Sequence, residues 1–104
     1  MSINNLEITQ ESIMRGVKFI IKGRINSVNS PELQEKLEEA LKEGHNNIVL
    51  NMLRVDHLSS AGIKVILKAY KDAGKTGGKL GIEGPSESVR NVLGMSALDK
   101  MLIK

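Results

Sequence analysis

A chain of 104 residues, 40% hydrophobic and 26% charged, is long enough for one domain with a single core and has an ordinary globular balance. It contains no cysteine, which excludes disulfides and thiol chemistry, and no apolar run approaches the ~20 residues of a membrane span. The net charge of +3 comes from lysines scattered among Glu and Asp, and Phe19 and Tyr70 are the only aromatics, so direct nucleic-acid binding is not expected.

The N-terminus, Met1-Ser2-Ile3-Asn4-Asn5, lacks the basic and apolar regions of a signal peptide, and the expected location is the cytoplasm. A first, weak strand is expected over Leu6 to Thr9, with Gly16 turning the chain into a second strand, Val17 to Ile25. The short connection makes the two antiparallel neighbours. Asn26 to Ser30 is a polar loop. Ser30-Pro31-Glu32 then reads as a helix start, with Ser as cap, Pro at the first helical position and Glu in the first turn. Leu33, Leu37, Ala40 and Leu41 form the apolar face of this helix, and Gly44 ends it.

The run Ile48-Val49-Leu50-Asn51-Met52-Leu53 is too short for an independent helix and fits a central strand buried on both faces. A polar turn is expected over Arg54 to His57. Helical spacing follows, with Ile63, Ile66, Leu67, Tyr70 and Ala73 on one side, and the helix should stop at Gly74. Gly77-Gly78 leads to a strand, Lys79 to Glu83. Gly84-Pro85-Ser86 starts a third helix with Val89, Val92 and Leu93 inward, closed by Gly94. Leu98 reads as a hydrophobic plug and Met101 to Ile103 as a last short strand. The order β-β-α-β-α-β-α-β implies one α/β domain over residues 1–104, a mixed, mostly parallel sheet with helices packed on it.

Ser59 and Ser60 therefore fall where the central strand hands over to a helix. Helix N-termini expose unpaired N–H groups and partial positive charge, so a serine there can cap the helix and a phosphate there can be stabilised. Capping alone explains one of the two serines without any function. Gly62, in the first helical turn, costs about 1 kcal/mol of helix propensity relative to Ala. It serves either a close approach of backbone or phosphate, or it is a tolerated defect.

Catalytic patterns do not emerge. Asp56, His57 and the serines are too close in one turn for a triad, which needs the base aimed at the nucleophile and the acid behind the base. His45 and His57 are distant from each other and make no metal-ligand pattern. Gly74-Lys75-Thr76 echoes a phosphate-binding loop, but Ala69 stands where that loop needs a glycine. Neither an enzyme nor a cofactor is expected.

Asn51 through Leu67, centred on Leu58-Ser59-Ser60-Ala61-Gly62-Ile63, resembles the signature of STAS domains, specifically of bacterial anti-sigma factor antagonists. Lys22-Gly23-Arg24-Ile25 resembles the end of the family's second strand, and Ile48-Val49-Leu50-Asn51 its central strand. Gly94 through Lys100 resembles its late turn. The resemblance covers nearly the whole chain. It implies a protein that, unphosphorylated, binds an anti-sigma factor that is itself a serine kinase, freeing the sigma factor. Phosphorylation of one motif serine switches the antagonist off, and a PP2C-type phosphatase restores it.

By position against the family's Asp-Ser-Ser/Thr-Gly core, the resemblance makes Ser60 the phosphoacceptor. Ser59 takes the place of the family's aspartate, and Asn26 stands where many relatives carry another aspartate. Both departures remove negative charge near the site. Ser59, Gly62, Asn51 and Asn26 are the expected site-shaping residues. The expected partner surface combines the Asn26–Ser30 loop, Ser30 included, the Arg54–Ser60 turn with His57, and the outer face of the following helix with Lys64, Lys68 and Lys71. Those lysines read equally well as a solvated helix face. A monomer or weak dimer is expected, with no membrane contact. The rival reading is a STAS scaffold that is never phosphorylated, an interaction module of a larger assembly.

Overall fold

The computed structural model describes residues 6–45 and 47–95. Its elements are β1 (Leu6–Ile13), β2 (Gly16–Ile25), α1 (Ser30–Lys42), β3 (Asn47–Leu58), α2 (Ser60–Lys75), β4 (Lys79–Glu83) and α3 (Glu87–Met95). The expected plug at Leu98 and strand at Met101–Ile103 lie outside the described residues.

The four strands form one sheet in the order β1-β2-β3-β4. β1 and β2 are antiparallel; β2–β3 and β3–β4 are parallel, joined by crossover helices. The hairpin turns at Met14-Arg15, where Arg15 takes φ 61, and not at Gly16 as expected. Gly16 already belongs to β2. A side chain there would collide with the backbone carbonyl of Asn47, its neighbour on β3, so the glycine serves strand approach.

The core lies between the sheet and the helices. Phe19, Ile21, Ile48, Leu50, Leu80 and Ile82 are buried from the sheet side, meeting Leu33, Leu37 and Ala40 of α1. From α2 the buried positions are Gly62, Ile66, Ala69 and Ala73, while Ile63 and Tyr70 are only half-buried. Ile66 and Ala73 are buried as expected, and Ile63, Leu67 and Tyr70 pack against the core; the contact is shifted toward Gly62 and Ala69, whose small size lets the helix approach closely. Both α1 and α2 outlast or precede their expected ends by little; α2 continues through Gly74 to Lys75, with the left-handed Gly77 following.

β3 departs furthest from expectation. Its first half is buried on both faces, at Ile48, Val49 and Leu50, but Leu53 is 61% exposed and residues 54–57 are strand, not turn. The reason is register. β4 ends opposite Asn51, so β3 runs on beside β2 alone, with irregularities between Ile20 and Lys22 and between Gly23 and Arg24. Past that point strict alternation is broken, because Asp56 is an extra residue in the ladder: Val55 and Leu58 are buried, while Arg54, Asp56 and His57 are exposed. Ser86 covers the freed edge. Its N–H donates to the Met52 carbonyl at 3.1 Å and its hydroxyl to the Val55 carbonyl at 2.6 Å. The same hydroxyl oxygen accepts from the Val89 N–H at 3.2 Å, so it opens α3 and pins it to β3, where Val89 and Leu93 are fully buried.

Candidate functional site

The C-terminal ends of β2 and β3 meet at the Ile25–Leu58 pair, both buried, and each strand leaves the sheet there. After β3, Ser59 is the N-cap of α2, with extended backbone (φ −78, ψ 169). Its N–H donates to the Ile25 carbonyl at 2.9 Å, tying the cap to the end of β2. Its side-chain oxygen accepts from the Gly62 N–H at 3.2 Å, and its carbonyl accepts the first helical bond from Ile63. Ser60 is the first helical residue and is exposed. The two adjacent serines thus have different environments: one hydroxyl is committed to the backbone, the other faces water.

Gly62 settles one question left by the sequence. A Cβ there would lie 2.6 Å from Ile25 Cγ2 and 2.7 Å from Leu58 Cδ1. The glycine lets the first turn of α2 sit on the last rung of the β2–β3 pair, and what approaches it is core side chain.

After β2, Asn26 builds the neighbouring loop. Its Oδ1 accepts from the N–H groups of Val28 and Asn29, both at 2.9 Å. Its own N–H donates to Asn29 Oδ1 at 2.8 Å, and Asn29 Nδ2 donates to the Arg24 carbonyl at 2.8 Å. The loop is therefore held by reciprocal Asx bonds. Val28 stands at its tip, 82% exposed. The N-cap of α1 is Asn29, not Ser30; Pro31 follows one position inside the helix. Ser30 is 5% exposed, so its side chain is not on the surface where a partner contact was expected. It was misplaced because Pro31 fits either of the first two helical positions. The Asn-x-x-Asn spacing of Asn26 and Asn29 is the signal for this loop in the sequence.

His57 is exposed on β3 beside Arg24 of β2. Lys64, Lys68 and Lys71 are exposed on α2. Lys68 is tied to Asp72 at 2.9 Å, with Lys75 3.5 Å from the same carboxylate. The hydrogen bond between Lys68 and Asp72 raises the lysine's pKa and lowers that of the carboxyl. Lys64, four residues after Ser60, is in no ion pair among the described residues.

Asn51 is not brought to the serines. Seven residues of strand, Met52 to Leu58, lie between it and Ser59, so the two are on the order of 25 Å apart along the extended chain. Its Nδ2 donates to Glu83 Oε2 at 3.0 Å, and its Oδ1 accepts from the Leu53 N–H at 3.2 Å. Lys18 Nζ lies 2.7 Å from the same Glu83 oxygen. The Lys18 hydrogen bond, then that of Asn51, pulls the Glu83 carboxyl below its ordinary range. The Glu83 carboxylate thus joins β4 to Asn51 of β3 and Lys18 of β2. Among the described residues no helix is long and apolar enough to cross a membrane.

Known proteins share this fold. The anti-sigma F factor antagonist of Paenibacillus polymyxa is 29% identical over 100 residues, covering 94% of this chain and 85% of that protein. The unphosphorylated form of the anti-sigma factor antagonist SpoIIAA superposes with a TM-score of 0.83 at 21% identity, over 93% of this chain and 86% of that one. The phosphorylated form of Bacillus SpoIIAA gives 0.77 at 20% identity, over 93% and 89%. The family model described as the STAS domain matches residues 7–104, and this chain belongs to that family.

Proposed function

We propose that this chain is an anti-sigma factor antagonist, a binding protein switched off by phosphorylation of Ser60. The observation that carries the reading is the contrast between the two serines: Ser59 Oγ is committed to the Gly62 N–H, whereas Ser60 is exposed at the first position of α2. A kinase needs a hydroxyl it can reach. The antagonist names of the relatives support the partner class, an anti-sigma factor.

The partner is read as a serine kinase. It transfers the terminal phosphoryl group of ATP to Ser60 Oγ; the new O–P bond replaces the one to ADP, and the hydroxyl proton leaves with the kinase's base. The phosphate adds about −1.5 to −2 charges. A helix N-terminus tolerates that charge, so the fold survives. A docked surface does not, since it must desolvate the phosphate or meet it with like charge. A PP2C-type phosphatase would reset the switch. The chain acts by binding and supplies no catalysis of its own.

The test is to purify each serine-kinase anti-sigma factor of the source genome, incubate it with this chain and ATP, and map phosphate by mass spectrometry. Phosphate on Ser60 with loss of complex is the expected result. Phosphate on Ser59 overturns the residue assignment. A stable complex without phosphate on either serine favours the unphosphorylated scaffold.

A further inference from the structure

Beyond the Asn51 rung, β2 and β3 carry an unusual pairing. Lys22 lies beside Arg54, and Arg24 beside His57, on adjacent parallel strands. All four side chains are exposed. Between these two rungs Gly23 and Val55 face the other way, and the extra residue Asp56 on β3 brings His57 back to the side of Arg54, so the rungs share one side of the sheet, with Lys22 and Arg24 about 7 Å apart along β2. Lys22 and Arg54 are cross-strand neighbours of like charge, which destabilises a sheet. Two carboxylates are at hand, Glu7 opposite Lys22 on β1 and Asp56 in the irregularity between Val55 and His57. Neither forms an ion pair with Lys22, Arg24 or Arg54 among the described residues. Leu53, 61% exposed, immediately precedes Arg54.

The strip thus combines unpaired positive charge with an exposed aliphatic side chain on a rigid strand pair. It also leads to the serines, because the next rung is Ile25–Leu58, whose Ile25 carbonyl holds the Ser59 N–H. Nucleic acid is the poorer match. Phe19 is fully buried and Tyr70 lies on α2, so the strip offers no stacking surface.

We propose that this strip is a docking surface for an acidic stretch of the anti-sigma factor, with carboxylates meeting the Lys22–Arg54 and Arg24–His57 rungs and an apolar side chain covering Leu53. The inference rests on the functional reading above and adds to it a contact area on the sheet, separate from α2. Opposite charge at such a surface speeds encounter and fixes orientation, and it weakens as salt rises.

The experiment uses the anti-sigma factor that binds in the functional test. Its affinity for the wild-type chain, Arg54→Glu and Arg24→Glu is measured by calorimetry, with Lys36→Glu on the exposed side of α1 as control. Each variant's stability is measured in urea. Arg54→Glu is expected to weaken binding by about tenfold or more and to raise the urea midpoint, because it places a carboxylate beside Lys22. Arg24→Glu should weaken binding likewise, Lys36→Glu should not, and wild-type affinity should fall between about 50 and 300 mM salt. Wild-type binding with Arg54→Glu and Arg24→Glu unchanged overturns the strip and leaves the functional reading intact. No binding by the wild-type chain to any candidate overturns the functional reading, and this inference with it. A urea midpoint that falls in Arg54→Glu removes the like-charge argument. Binding of a DNA duplex at physiological salt that Arg54→Glu abolishes would assign the strip to nucleic acid instead.

Discussion

Ser59 Oγ accepts the Gly62 N–H at 3.2 Å, and this one bond separates the roles of two neighbouring serines. Ser59→Ala is expected to lose the cap and about 0.5–2 kcal/mol of stability. Ser60→Ala, at an exposed first-turn position, should stay within about 0.5 kcal/mol of wild type. Urea denaturation of the two variants checks the division. Equal losses would show that the cap is shared.

Gly62→Ala pits helix propensity against packing. Alanine would gain about 1 kcal/mol in a free helix. Here its methyl would press on Ile25 Cγ2 and Leu58 Cδ1, both parts of buried side chains. Overpacking of this kind costs about 1–3 kcal/mol, so the variant should be destabilised on balance. Thermal or urea unfolding decides; a stabilised variant would mean that the Ile25–Leu58 rung yields easily.

Asn26→Asp keeps the side-chain acceptor for the Val28 and Asn29 N–H groups, and stability should change little. Asn26→Ala leaves both donors without it and should cost about 1–3 kcal/mol. Denaturation of the pair tests whether the loop depends on the acceptor; equal stabilities would show that it does not.

Glu83 gives the sheet a pH dependence with a definite sign. Hydrogen bonds from Lys18 and Asn51 hold its carboxyl below the ordinary 4.5. The folded state therefore binds that proton less readily than the unfolded chain. Its contribution is present above about pH 4.5 and is lost as pH falls through the lower folded value. The carboxylate side chain is 41% exposed, so the effect is partly screened. Glu83→Gln should be less stable than wild type near neutrality, and the gap should close in acid. A gap that stays constant from about pH 6 to pH 3 would rule out these hydrogen bonds as its source.

Much of the fold was legible because its signals are local. Lys79 to Glu83 was readable to the residue, between Gly77-Gly78 and Gly84, and the handover at Ser59-Ser60 stands at a strand-to-helix junction as expected. What escaped was non-local. Arg54 to His57 reads as a polar turn, since nothing in those residues announces that β2 runs alongside to pair with them. Leu53 looks like core because its exposure follows from β4 stopping at Glu83. The burial of Gly62 and Ala69 on α2 is hidden because larger residues dominate a hydrophobic pattern, whereas Ile66 and Ala73 are legible in it. At the site, the role of Gly62 is not legible in the sequence, because one of the side chains against it, Ile25, comes from a distant strand. Asn51 carried the family pattern, yet its partners, Glu83 and through it Lys18, come from two other strands.

The switch at Ser60 makes the sharpest demand. Ser60→Ala cannot accept phosphate and should bind the anti-sigma factor whether or not ATP is present. Ser60→Asp should fold, since negative charge suits the start of α2, and should bind more weakly than Ser60→Ala. Its single carboxylate carries less charge than phosphate, so the loss should be smaller than that on phosphorylation. Ser59→Ala should still accept phosphate at Ser60, more slowly if the frayed first turn presents the hydroxyl poorly. Calorimetric titration of the three variants and of the phosphorylated wild type gives the ranking. Equal affinity for Ser60→Ala, Ser60→Asp and the phosphorylated chain would mean that this end of α2 does not control the complex.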